Sequence, residues 1–181
     1  MTRMGPLLRE NMNDRQKAVF DKITADGGRI GGPYTAYIRT PEFMQVNQEM
    51  GNVLRSNALP SKLRLLAAIT VIRYWGAEFP WAMNARDAAS EGISQDIIDA
   101  INQGERPIFP ETAEQLVFDF SSELLNTKNV SDETYNKAKK LLDEECLASL
   151  IETIGFYSMV SMTSLSIRVE ASATEMQVLI K

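Results

Sequence analysis

The side chains able to do chemistry in this chain are Arg73, Glu78, Trp81 and Asn84, close together in sequence, with Tyr157 and Cys146 farther on. Asn84 both donates and accepts hydrogen bonds but cannot transfer a proton at neutral pH, so it can polarise a carbonyl or hold an enolate oxygen. Trp81, Asn84 and Ala88 recur at helical spacing and share one helix face on that reading. Arg73 can pair with a substrate carboxylate, Glu78 is the nearest carboxylate for acid–base work, and Tyr157 is a further donor. Each also has a structural alternative. Glu78 and Asn84 can cap or bridge helices, Arg73 can form an ion pair, and tryptophans more often pack than bind. The chain has no histidine, and its one cysteine, Cys146, lies beside Glu144 and Glu145, which disfavour a thiolate.

The elements that must position these groups read as helices. Asn13 and Gln16 have capping-box spacing before Val19, Phe20 and Ile23. Residues 26–33 hold four glycines and form a loop; with no Lys-Ser or Lys-Thr after it and no strand before it, it is a connector and not a phosphate loop. Thr40-Pro41 opens a helix toward Asn57, with Phe43, Val46, Met50, Val53 and Leu54 expected inward. A helix from Pro60-Ser61 to Trp75 stops at Gly76, and Pro80 suits the first turn of the next, which ends near Gly92. Further helices are expected from Ser94 to Gly104, from Glu111 to Leu125, after Ser131-Asp132, and from Glu144 through Met162. Residues 165–170 alternate as a short strand would, but a helix followed by an extended tail is the favoured reading. The expected fold is an all-α, orthogonally packed bundle, as one domain over residues 1–181.

Residues 73–88 carry a resemblance. The run Phe79-Pro80-Trp81-Ala82-Met83-Asn84 after Arg73-Tyr74-Trp75 is similar to the Tyr-Glu-Trp-x-x-His run of the carboxymuconolactone decarboxylase-like, or alkylhydroperoxidase D-like, family. Gly32-Pro33-Tyr34, Thr40-Pro41-Glu42-Phe43, Leu59-Pro60 with Arg64-Leu65-Leu66, Gly92-Ile93-Ser94, Ser131-Asp132 and Ile154-Gly155-Phe156-Tyr157 resemble further family segments in the same order, over residues 32–169. The resemblance implies antiparallel helices that assemble as trimers or hexamers, with pockets at or near subunit contacts. It implies either decarboxylation of a carboxy-lactone or thiol peroxidase chemistry from a Cys-x-x-Cys pair.

The family's cysteine positions fall on Ala77 and Pro80, its second glutamate on Leu65 and its histidine on Asn84. Every redox and proton-handling position is therefore a group that does not ionise, which argues against the peroxidase. The expectation is non-redox, decarboxylase-type chemistry on a small carboxy-lactone or oxo-acid, with Asn84 and Glu78 catalytic and Trp81, Arg73 and Tyr157 binding substrate. The alternative is a non-catalytic member that binds a small molecule or serves in an assembly.

Bulk properties bound the rest. At 181 residues the chain can bury roughly 70% of its unfolded surface. A net charge of −5 argues against nucleic acid or an anionic membrane as partner. The apolar stretch of residues 65–72 is far short of the ~20 residues of a membrane span, and the first six residues lack a signal-peptide core. A lone cysteine suggests a reducing, cytoplasmic setting. No metal or cofactor is expected, since no cluster has ligand spacing. The expected partners are a small-molecule ligand and further copies of the chain.

Overall fold

The computed structural model of the chain describes residues 2–28, 30–171 and 179–180. The expected tail beyond residue 171 lies largely outside the described residues. The elements are a 3-10 turn (Arg9–Asn11) and helices α1 (Asp14–Ala25), α2 (Tyr34–Tyr37), α3 (Pro41–Ser56), α4 (Ser61–Trp75), α5 (Glu78–Ser90), α6 (Gln95–Gln103), α7 (Thr112–Thr127), α8 (Asp132–Leu141) and α9 (Glu144–Ser166). Among the described residues there is no strand, and residues 165–166 complete α9.

Helix α4 is the axis of the bundle. Every residue from Leu63 to Ile72 is buried, which matches a sequence that is apolar all round. It packs against α5, α7 and α9 on different sides. Ala67 and Ala68 leave room for neighbours to approach, while Leu66, Ile69, Val71 and Ile72 fill the space between helices. The helix ends because Gly76 adopts φ 70°, and its N–H bonds the Ile72 and Arg73 carbonyls. Helix α5 begins two residues later with Pro80 buried in its first turn, where a missing N–H costs nothing.

The remaining helices use the punctuation legible in the chain. Asn13 and Gln16 form a reciprocal capping box on α1. Ser94, Ser131 and Asp143 cap α6, α8 and α9 through their side chains. Helix α9, with 23 residues, is long and apolar enough to cross a membrane by length and composition alone; here it lies along α4 with Leu147, Leu150, Ile154 and Phe156 buried. A second, smaller hydrophobic cluster of Met12, Ile23, Tyr37, Ile38 and Met44 joins α1, α2 and α3.

Helix α3 differs from expectation. Phe43, Val46, Met50 and Val53 point outward, and Met44, Asn47, Gly51 and Leu54 point in. Both sets have the same helical spacing and sit one residue apart, so periodicity alone cannot choose between them. Contact with α9 decides: a Cβ on Gly51 would already stand 3.6 Å from the Phe156 ring. That is ordinary packing distance, so the Gly51 side of α3 is the one in contact with α9. The result is an exposed apolar stripe along α3.

One charge pair bridges α4 and α7. The Glu114 side chain is only 3% exposed, and its sole cationic partner among the described residues is Lys62, which is 36% exposed. Lys62→Met would leave a buried carboxylate uncompensated, and it should cost about 3 kcal/mol in urea denaturation. Adding Glu114→Leu should recover most of that loss; a single variant as stable as the parent would show that the pair contributes little.

Candidate functional site

Between the two hydrophobic clusters lies a cavity of about 660 Å³. The loop before α2 forms one side of it, through Ile30, Gly31 and Pro33, with Tyr34 following. Arg55 comes from the end of α3, Arg64 and Leu65 from the first turns of α4, and Phe156, Tyr157 and Val160 from α9. Helix α5 contributes the longest wall: Phe79, Pro80, Met83, Asn84, Asp87, Ser90 and Glu91. The loop is seated closely. Gly32 has φ +58°, and a Cβ there would fall on the Phe79 ring.

Of the candidates from sequence, this cavity brings Asn84 and Tyr157 together. One Asn84 Nδ2 hydrogen bonds the Pro80 carbonyl at 2.8 Å, which leaves the second hydrogen and Oδ1 for the cavity. Trp81 does not reach it. Its ring is fully buried in the main core, and its Nε1 has no partner among the described residues. At 100° per residue, a step of three turns the side chain some 60° around the axis. That rotation sends Trp81, Ala85 and Ala88 toward α4 while Asn84 stays at the cavity edge.

Glu78 is the first residue of α5 and is not among the residues lining the cavity. Arg73 lies in another, 260 Å³ cavity with Tyr74, Arg106 and Phe118. Its Nε donates to the Asn102 carbonyl at 2.7 Å, a cation placed on the last turn of α6. Cys146 lies outside these cavities, with its thiol donating to the Ala58 carbonyl at 3.3 Å. Partial burial pushes the thiol pKa up, and the hydrogen bond and charge of Asp143 and the charge of Glu145 push it further. A third cavity, of about 470 Å³, lies between α1 and α3 and is lined largely by polar side chains such as Gln45, Gln48 and Asn52.

Sequence reasoning missed Arg64, Asp87, Tyr34 and Arg55. Arg64 had a signal: it is a cation between Leu63 and Leu65 on a helix without a polar face. Asp87 sits one turn beyond Asn84 and pairs with exposed Arg86 at 3.0 Å. Tyr157 feels all of these groups. Burial raises its pKa first; the charges of Arg64 and Arg55 oppose this, and Tyr34 and Asp87 add to it. The phenol is therefore a hydrogen-bond donor that keeps its proton. Among the described residues no group of histidine, cysteine, aspartate and glutamate is placed to hold a metal ion.

No protein-family model and no curated protein sequence matches the chain. Solved structures do match. The chain is similar to an uncharacterised peroxidase-related protein from Silicibacter sp. TM1040, with TM-score 0.77 and 12% identity over 99% of this chain and 96% of that one. It is similar to an alkylhydroperoxidase AhpD core protein from Ralstonia eutropha JMP134, with TM-score 0.74 and 9% identity over 95% and 93% of the two chains. The debrominase Bmp8 also matches, at TM-score 0.74 and 14% identity over 94% and 92%. The chain has the AhpD-like all-helical fold.

Buried phenols, two of which (Tyr34 and Tyr157) line this cavity, give a spectroscopic handle. Burial raises Tyr34, Tyr37 and Tyr157 above the usual ~10. A folded-state pKa above the unfolded value means that stability is intact below the ordinary tyrosine range and falls as pH rises through the folded value. Alkaline titration followed by phenolate absorbance should show a late-ionising set coupled to unfolding, and Tyr157→Phe should remove one member of it. A late set unchanged by that substitution would place Tyr157 in contact with solvent.

Proposed function

We propose that the chain is a divergent member of the carboxymuconolactone decarboxylase-like, AhpD-like family, and that its cavity takes a small oxygenated acid or lactone without redox chemistry. The observation that carries this reading is a convergence. Leu65, Pro80 and Asn84, the positions where the resemblance lays a glutamate, a cysteine and the histidine, all line the same cavity. The cavity keeps the family position but holds no thiol, since Cys146 is tied to Ala58 elsewhere.

In a decarboxylation, the bond from carbon to the carboxylate breaks, carbon dioxide leaves, and the electron pair moves onto a neighbouring carbonyl as an enolate. The free Asn84 N–H and the Tyr157 hydroxyl are the donors for that oxygen. Tyr157, with its raised pKa, is a weak acid. The proton returned to carbon is better supplied by water or through Asp87, the carboxylate that lines the cavity beside Asn84. Glu78 is assigned no part in this scheme, and neither are Trp81 and Arg73.

The second reading is a binding protein without turnover. Two observations favour it: Asn84 spends one hydrogen on its own helix, and Asp87 is already paired with Arg86. A panel of carboxy-lactones and oxo-acids separates the two. Turnover that is abolished by Asn84→Leu supports the catalytic reading, whereas thermal stabilisation without product across the panel supports binding alone. Hydroperoxide reduction lost on Cys146→Ala would overturn both.

The proposal includes a cytoplasmic homo-oligomer. The outward stripe of Phe43, Val46, Met50 and Val53 supports self-association. Val46→Glu with Val53→Glu should lower the mass seen by light scattering; an unchanged mass would remove α3 from any interface.

A further inference from the structure

Arg64 is the least explained charge in the molecule. Its residue is 8% exposed, yet its guanidinium makes no hydrogen bond and no ion pair among the described residues. A cation largely withdrawn from bulk water gains strongly from a counter-ion. Its neighbours in sequence, Leu63, Leu65 and Leu66, are buried apolar residues of α4, and its own guanidinium reaches the cavity. It lines the cavity, and its charge acts on the Tyr157 phenol in the same cavity.

The other charges there are accounted for. Arg55 is exposed, and its Nη2 donates to Asn52 Oδ1. Asp87 pairs with Arg86. Arg64 is the buried cation of the cavity, and no ion pair among the described residues compensates it. The walls facing it are apolar and partly aromatic, through Leu65, Phe79, Pro80, Met83, Phe156 and Val160. A volume of about 660 Å³ fits a small organic molecule with a ring-sized body.

We infer that Arg64 is a carboxylate anchor and that the cavity's ligand is a monocarboxylate with an apolar, ring-sized body. This inference rests on the proposed function of the cavity and names its ligand class. A planar guanidinium accepts a carboxylate in a two-pronged pair, and its strength rises where water is excluded. The one buried guanidinium takes one carboxylate, since Arg55, the other cation on the lining, is exposed and turned to Asn52. Asp87 and Glu91 on the α5 wall disfavour a second, so a phosphate or a dicarboxylate is a poor fit. Tyr157 Oη and the free Asn84 N–H remain for a second oxygen on the ligand.

The experiment uses matched probes: phenylacetate and 3-phenylpropanoate, with the methyl ester and primary amide of each, and inorganic phosphate. Calorimetric affinity and melting temperature are measured for the parent, Arg64→Gln and Arg64→Lys. The acids should bind at least tenfold more tightly than their esters and amides and more tightly than phosphate. Arg64→Gln should erase the acid preference but keep ester binding, and Arg64→Lys should restore part of it.

If acids and esters bind equally to the parent, or if Arg64→Gln keeps the preference, the anchor is overturned while the cavity reading stands. Tighter phosphate than acid overturns the carboxylate class. If neither acids nor neutral probes bind, the anchor and the cavity reading both fall.

A ligand-free readout separates binding from scaffolding. Arg64→Met keeps the apolar stem and removes an unpaired buried charge, so the unliganded protein should melt at the parent temperature or above. A clear drop would assign Arg64 a structural role and overturn the inference.

Discussion

The structure depends on burying one helix on every side. Helix α4 has no solvent face between Leu63 and Ile72, so α5, α7 and α9 must each present an apolar strip to it. Those contacts hold most of the core, and they set where the chain may turn. Gly76 takes the left-handed conformation that ends α4, and α5 starts at once. The same burial draws Arg64 inward with its leucine neighbours, at a cost no other described residue repays.

The main core and the small α1–α2–α3 cluster are separate apolar units. The residue 30–33 loop borders the space between them, and its Gly32 lies directly against Phe79. Aromatic and apolar walls meet a few polar groups there: Arg64, Tyr157, Asn84 and Asp87. The lone thiol sits near the start of α9, raised in pKa by burial and by Asp143.

Much of the helix plan was legible because helix ends announce themselves chemically. Asn13 with Gln16, Ser94, Ser131, Gly76 and Gly104 each satisfy or release backbone groups that a helix end leaves open, and each stands where it was read. The short α2 was not foreseen, because four residues are too few to show a period. The α3 face was misjudged for a different reason. The face that packs carries Gly51, which meets Phe156 of α9, while the larger apolar side chains one residue away face outward. Of the candidate residues, Asn84 and Tyr157 line the cavity. Trp81, Glu78 and Arg73 were grouped with them by proximity in sequence, which a helix converts into different directions.

The sequence by itself determined the all-helical class, the helix boundaries and the loss of redox groups, since these depend on local chemistry and on residue identity. It also placed Leu65, Pro80 and Asn84 in correspondence with a family site. Only the tertiary structure decided which groups share a cavity. A 60° difference around α5 sends Trp81 to the core and leaves Asn84 at the edge, and the α6 terminus claims Arg73. Arg64 is left buried beside Tyr157. Those outcomes depend on how helices distant in sequence pack together, and no local pattern encodes the space left between them.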